Sequence, residues 1–436
     1  MNSLVLTASV LGAMTFLLCS GVWIGISLLL TGLVALVFFT PAPAGSLMAQ
    51  TVWDSSWDWA LTALPLFIWM GEILFRSRLS EDMFKGLAPW VSWLPGKLLH
   101  VNVVGCAVMA AITGSTAVCS ATVGRMTVPE LKKRGYDDTM AYGTLAASGT
   151  LGILMPPSIQ MMVYGVVAQV SIGQLFIAGV LPAIMVMLMY MAYVAGWALL
   201  HPDRMPIDEI RMSLLERIWA SRRLIPAILL IFVVLGSIYG GVATPTEAAA
   251  IGVVGAFGLA AFTGTLNVRM VEQSLFGAVK TSCMIGLILA GGAFLSIAMG
   301  FTGLPKVMAG WVDSLHLGRF GLIILLTIVY IILGTALDGI SMVLLTSPVV
   351  FPMAQAAGID LLWFGIYIVL VAEMAQISPP VGFNLFVVQS LAGADLWTVS
   401  RACLPFFFML IAAIALIAVF PQIVSFLPNL MSNVPR

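Results

Sequence analysis

Gly149-Thr-Leu-Gly-Ile-Leu-Met-Pro-Pro-Ser158 sits in the middle of an apolar segment and carries a proline pair that no membrane helix can run through undisturbed. It belongs to a longer stretch, Gly114 to Pro182, that the chain uses twice. The second copy lies 223 positions later: Pro129 maps to Pro352, Gly135 to Gly358, Asp137 to Asp360, Pro156-Pro157 to Pro379-Pro380, and Pro182 to Pro405. One offset holds without a gap, and the matches fall on helix breakers, where chance identity between apolar segments is least expected. The chain therefore reads as two repeats, 1–200 and 224–436, joined by a polar linker at 201–223.

The 436 residues are 61% hydrophobic and 9% charged. A soluble domain carries about 25% charged residues, so this is an all-α polytopic membrane protein. Apolar runs of roughly 20 residues, the length needed to span a bilayer, recur throughout. The formal net charge is zero and no basic cluster suggests nucleic acid. Five scattered cysteines and three scattered histidines make neither a disulfide framework nor a ligand set. No basic n-region precedes the first apolar run, so Met1–Thr40 reads as helices that stay in the membrane.

Taken in order, residues 4–40 are too long for one span and divide at Ser20-Gly21. Residues 41–59 are Trp-rich and polar, as expected at a membrane interface. Residues 60–75 span, and 76–97 form an amphipathic arm along the surface. Residues 98–128 read as a re-entrant hairpin around Thr113–Thr116. Residues 139–168 read as a helix broken at Gly149–Pro157, and 174–200 span back. In the second half 224–240, 246–263 and 281–301 span. An arm at 302–319, a hairpin at 320–352 around Gly334–Gly339, a helix at 362–391 broken at Glu373–Pro380, and a last span at 402–428 complete the chain.

Charge gives orientation. Loop 76–97 carries four Lys/Arg and its partner 302–319 carries two; loop 130–138 carries three and its partner 353–361 none. By the positive-inside rule the copies are inverted, the linker is cytoplasmic, and both termini lie outside. Inverted repeats that each contain a broken helix are a secondary-transporter architecture. Unwound peptide groups at membrane depth are costly unless protein, water or an ion satisfies them. Helix N-termini there suit an anion and free carbonyls suit a hard cation.

The expected Na⁺ sites follow. Site one comprises Gly114, Ser115, Thr116, Gly149, Thr150 and Pro156. Site two comprises Gly334, Thr335, Asp338, Gly339, Glu373, Ser378 and Pro379. These are oxygen-rich sets without soft ligands. Asp338 either coordinates a cation or caps the second hairpin helix. Ser115, Arg125 and Asn384 are the candidates for contact with solute, although a snorkelling interfacial side chain is the preferred reading of Arg125. Glu247 reads as a first-turn carboxylate of a helix starting near Thr244. No HExxH, no GxSxG with a histidine partner and no facing aspartate pair argues for an enzyme.

Four stretches carry a family resemblance: Gly149 to Ser158, Thr244-Pro-Thr-Glu-Ala-Ala-Ala-Ile-Gly252, Gly334-Thr-Ala-Leu-Asp-Gly339 and Ser378-Pro-Pro-Val-Gly-Phe-Asn-Leu-Phe-Val387. In these the chain resembles the large membrane subunit of TRAP (tripartite ATP-independent periplasmic) transporters. The resemblance implies Na⁺-driven uptake of an organic anion, such as a C4-dicarboxylate, sialic or sugar acid, or keto acid, across the inner membrane. It also implies a periplasmic solute-binding protein, a small four-helix membrane subunit as a separate chain, and an elevator-like transport domain. Gln160, Gln376 and the Arg125-Met126 pair depart from the family pattern. The alternative is a stand-alone Na⁺-coupled anion symporter of the same architecture.

Overall fold

Among the described residues, every regular element of this computed structural model is a helix. Residues 3–432 are described, apart from 58, 78, 207–212, 223, 306, 309, 311–317, 336 and 379–381. Six segments are long and apolar enough to cross a bilayer, and a seventh if Leu215–Ser221 and Ile225–Tyr239, bent by 57°, form one span. This is a multi-pass membrane protein.

The N-terminal run divides as expected, into α1 (Ser3–Cys19) and α2 (Ile24–Phe39), with Gly21 at φ +74° in the turn. The Trp-rich stretch is largely helical. It forms helix α3 (Ala44–Ser56) and a 3-10 turn, because Ser46–Ser56 contains neither Gly nor Pro to stop a helix. Then come α4 (Ala63–Phe75) and the arm helix α5 (Leu79–Val91).

The first hairpin is α6 (Leu99–Thr113) and α7 (Thr116–Lys133), joined at Gly114-Ser115. The first broken helix is α8 (Asp138–Leu154) and α9 (Ile159–Ala168), and α10 (Ile172–Leu200) spans back. The linker carries α11 (Leu214–Ser221).

The second half begins with α12 (Ile225–Tyr239) and α13 (Pro245–Phe262). Thr244 and Glu247 close a capping box at the start of α13, with Pro245 at its first position. The span expected at 281–301 is the later part of a 35-residue helix, α14 (Val268–Thr302). Half of the expected second arm, including 311–317, lies outside the described residues. The second hairpin is α15 (Arg319–Gly334) and α16 (Gly339–Ala356); the second broken helix is α17 (Leu361–Gln376) and α18 (Phe383–Ala392). The expected last span is two helices, α19 (Leu396–Val419) and α20 (Gln422–Ser432), divided at Phe420-Pro421.

Residues 223 apart play the same local part. Asp137 and Asp360 each cap a broken helix by accepting backbone N–H bonds, from Met140 and from Leu362 and Trp363. Gly135 and Gly358 precede them at φ +78° and +68°, a backbone that favours glycine.

The helices pack in two groups. α14 lies along α2 and α4, and α4 lies against α13. The other group surrounds α8, which packs on α6, α7, α10, α17 and α19. Nearly every residue of α8 and of α17 is buried. Both helices end at a break, and each is enclosed by protein rather than lipid up to the residue where it ends.

Candidate functional site

The first break is short. α8 holds its hydrogen bonds to Leu154, two residues before Pro156, and α9 starts at Ile159. Gly149 and Thr150 are therefore helical, not unwound. The cause is local: a proline disturbs its own position and the one before it, so the helix persists until then. Ser158 restarts the chain by accepting the Met161 N–H at 3.3 Å. Pro156-Pro157 is a cis peptide.

The first hairpin tip rests on this break. Gly114 ends α6 in the left-handed region, at φ +59°. A Cβ there would lie 2.8 Å from Pro157 O and 3.2 Å from Ile159 N, so only glycine fits. Ser115 is extended and makes no capping bond, which leaves the first amides of α7 without a side-chain acceptor. The Thr116 hydroxyl is buried there without a partner. A cavity of about 60 Å³ lies beside the tip, lined by Ser115, Thr113 and Ile159 on one side and by Glu72, Gly71 and Thr281 of the other helix group.

The second tip differs. Gly334 packs on Ala375, where a Cβ would come within 2.1 Å of the Ala375 Cβ. Asp338 caps α16: it accepts from Ile340 N at 3.2 Å and from the Ser341 hydroxyl. Of the two readings of Asp338, the cap is the one made by visible bonds. Thr335 turns back on its own helix, donating to Ile332 O at 2.7 Å. The Ser378 hydroxyl donates to Ala375 O at 2.9 Å, and Pro379 lies outside the described residues.

Glu373 is fully buried in the last turn of α17, short of the break. It points away from the second tip and across to α8, where its Oε1 accepts the Thr150 hydroxyl at 3.0 Å. Its Oε2 has no partner. Ion pairs among the described residues lie elsewhere, at Arg76–Glu72, Arg134–Glu130 and Arg204–Asp137.

Asn384, near the start of α18, donates to Ala146 O, and its Oδ1 is unpartnered. Beside it the Ser120 hydroxyl, also buried and unpartnered, lies where a side chain on Gly149 would be: a Cβ there would sit 1.7 Å from Ser120 Oγ and 2.9 Å from Asn384 Nδ2. Three helices thus meet around Gly149. Arg125 is not among these residues. It is exposed on the far part of α7, its guanidinium 5.9 Å from the centre of the Phe75 ring.

Sequence reasoning missed Ser120 and the placement of Gln160. Ser120 stands one helical turn after Thr116, which was a usable signal. Gln160 lies in α9, yet its side chain reaches the second tip: a Cβ on Gly339 would lie 2.3 Å from Gln160 Oε1. Nothing in the local sequence gives that contact.

Residues 11–423 match the family described as the tripartite ATP-independent periplasmic transporter, DctM component. The chain belongs to this DctM family. The C4-dicarboxylate TRAP transporter large permease DctM of Pseudomonas aeruginosa is 31% identical to it, over 92% of this chain and 94% of that one. The sialic acid TRAP transporter large permease SiaM of Vibrio cholerae is 28% identical, over 95% of this chain and 96% of that one. Among solved structures, the Alcanivorax borkumensis YdaH transporter superposes at a TM-score of 0.58 with 12% identity, covering 87% of this chain and 89% of that one; the likeness concerns the fold. As a DctM protein the chain is a TRAP permease component of the membrane, and its relatives are transporters rather than enzymes.

Proposed function

We propose that this DctM chain is the large permease of a sodium-coupled importer for an organic anion. The anion arrives on a periplasmic solute-binding protein, and the chain works beside a small four-helix membrane subunit. The observation that carries the transport reading is the meeting of each hairpin tip with a helix break, Gly114 on Pro157 and Gly334 on Ala375. Backbone at a break is stable in a membrane only where something satisfies it. The organic-acid class is supported by relatives named for C4-dicarboxylates and for sialic acid.

Sodium is cargo in this reading. At the first tip the oxygens of Ser115, Thr116 and Pro156 would surround it; at the second, those of Thr335, Asp338 and Ser378. One inward Na⁺ gains about 2.3 kcal/mol per 100 mV of membrane potential, so two or more would drive accumulation even of a divalent anion.

A two-fold relation between the two copies is supported by the Thr150–Glu373 bond, and its inverted sense by the opposite charge bias of the paired loops. Residues separated by the repeat offset touch only near the axis that relates the copies. An elevator-like movement is supported by the division into two helix groups, with the cavity beside Ser115 lying between them.

The test is flux in proteoliposomes holding this chain, its small subunit and its binding protein, with labelled succinate and N-acetylneuraminate as solutes. Uptake of one of them that requires an inward Na⁺ gradient is expected. Sodium-independent uptake overturns the coupling. Equal uptake by this chain alone overturns the partner requirement in favour of a stand-alone symporter.

A further inference from the structure

Two buried side-chain amides, one against the second tip and one at the end of the helix on which that tip packs, have hydrogen-bonding capacity left over. Gln160, the second residue of α9, is 1% exposed, and neither its Oε1 nor its Nε2 has a partner. Its amide lies against Gly339, the first residue of α16; a Cβ on that glycine would sit 2.3 Å from Oε1 and 3.1 Å from Nε2. Gln376 ends α17 beside Ala375, on which Gly334 packs; it is 5% exposed, and its Oε1 is unpartnered. Buried amides normally find partners, because an unmet group forfeits its bonds to water. Here one amide from each broken helix is left unmet, that of Gln160 against the second tip and that of Gln376 next in sequence to the residue on which the tip packs.

The unmet set has a definite chemistry. Two carboxamide oxygens need donors and one NH₂ group needs an acceptor. Asp338, next to Gly339, adds a carboxylate whose oxygens already take the Ile340 N–H and the Ser341 hydroxyl. A second carboxylate brought here would repel Asp338 and leave both amide oxygens unmet, since it only accepts. A hydroxyl donates and accepts, and so serves both kinds of group. The first tip is the opposite case. It has no acidic side chain of its own, an uncapped helix start at Thr116, and the buried, unpartnered Thr116 hydroxyl, while the Glu72 carboxylate across the cavity is paired with Arg76 at 2.9 Å. That end suits a carboxylate.

We propose that Gln160 and Gln376 form a solute subsite at the second tip that takes hydroxyl groups, so that this transporter carries a hydroxylated monocarboxylate in preference to an unsubstituted dicarboxylate. The inference rests on the organic-anion reading above. A sodium ion at the same place would use the two amide oxygens but would leave the Gln160 NH₂ unmet, and the test separates the two occupants.

The full-length chain is purified in nanodiscs and its thermal unfolding followed in NaCl with gluconate, glycerate or succinate. The hydroxy acids are expected to raise the wild-type midpoint at millimolar concentration, and succinate to leave it in place. Gln160→Met and Gln376→Met keep side-chain length and remove the amides. Each is expected to weaken the apparent affinity for the hydroxy acid about tenfold or more while keeping the response to Na⁺ alone. Unchanged hydroxy-acid affinity in both variants overturns the subsite. Loss of the Na⁺ response with solute affinity intact assigns the amides to the ion and also overturns it. Succinate protecting the wild type as well as gluconate does overturns the solute preference and leaves the organic-anion reading standing. No protection by any of the three acids overturns both.

Discussion

Thr150 donates a hydrogen bond to Glu373 at 3.0 Å, and the two residues are 223 positions apart, the offset that relates the two halves of the sequence. The same Thr150 hydroxyl lies 2.7 Å from Ala147 O. The bond ties the two buried helices that end at the breaks, α8 and α17.

Removing one side of that pair leaves a buried polar group unmet. Thr150→Val should lower stability by about 1–3 kcal/mol, read as a lower unfolding midpoint of the purified protein. The double variant Thr150→Val with Glu373→Leu should be less unstable than the two single effects summed, with a coupling of at least about 0.5 kcal/mol. Strict additivity would show that the bond does not matter.

Gly149 is expected to tolerate no side chain. Gly149→Ala places a methyl 1.7 Å from Ser120 Oγ, so α7 or α18 must shift. Overpacking of this kind costs about 1–3 kcal/mol. Adding Ser120→Ala should restore part of the loss, measured by the same unfolding assay. A stable Gly149→Ala protein contradicts the packing described around Asn384.

Asp338 separates its two readings by substitution. Asp338→Ala deletes the cap of α16 and should cost about 1 kcal/mol at any sodium concentration. Asp338→Asn keeps an acceptor for the Ile340 N–H and should recover most of that stability. If Asp338→Asn nevertheless needs much more sodium for uptake than the wild type, the carboxylate serves the ion as well as the helix.

Cysteines at positions 133 and 356 test the inversion of the copies. Lys133 and Ala356 are both exposed and close the return helices of the two hairpins. In a background lacking the exposed Cys19 and Cys283, a membrane-impermeant maleimide should label the two positions from opposite sides. Labelling from one side only would falsify the inverted arrangement.

The hairpins and the proline breaks were legible in the sequence because their signals are local. Gly114 and Pro156-Pro157 change the backbone where they stand. The extent of each break was not legible. Gly149, Thr150 and Glu373 resembled parts of the unwound stretch, yet all three are helical, and their small or polar side chains serve contacts with α7 and between α8 and α17. The Trp-rich stretch left its helix unread for a related reason: interfacial composition says where a segment sits, not whether it coils. Ser120 beside Asn384 and Gln160 beside Gly339 join distant segments, and only the folded arrangement brings them together.

The start of α9 touches both tips. Pro157 and Ile159 lie under Gly114, and Gln160 lies against Gly339. Four consecutive residues therefore stand between two places where cargo is expected to bind. If both places bind cargo as proposed, an occupant that orders one tip changes the surface offered to the other, which couples their affinities by the same factor in both directions. Titrating one cargo at fixed levels of the other should then give a family of displaced curves rather than a single one. No long relay through the protein is needed, because only the end of the first break and the first two residues of α9 stand between the tips.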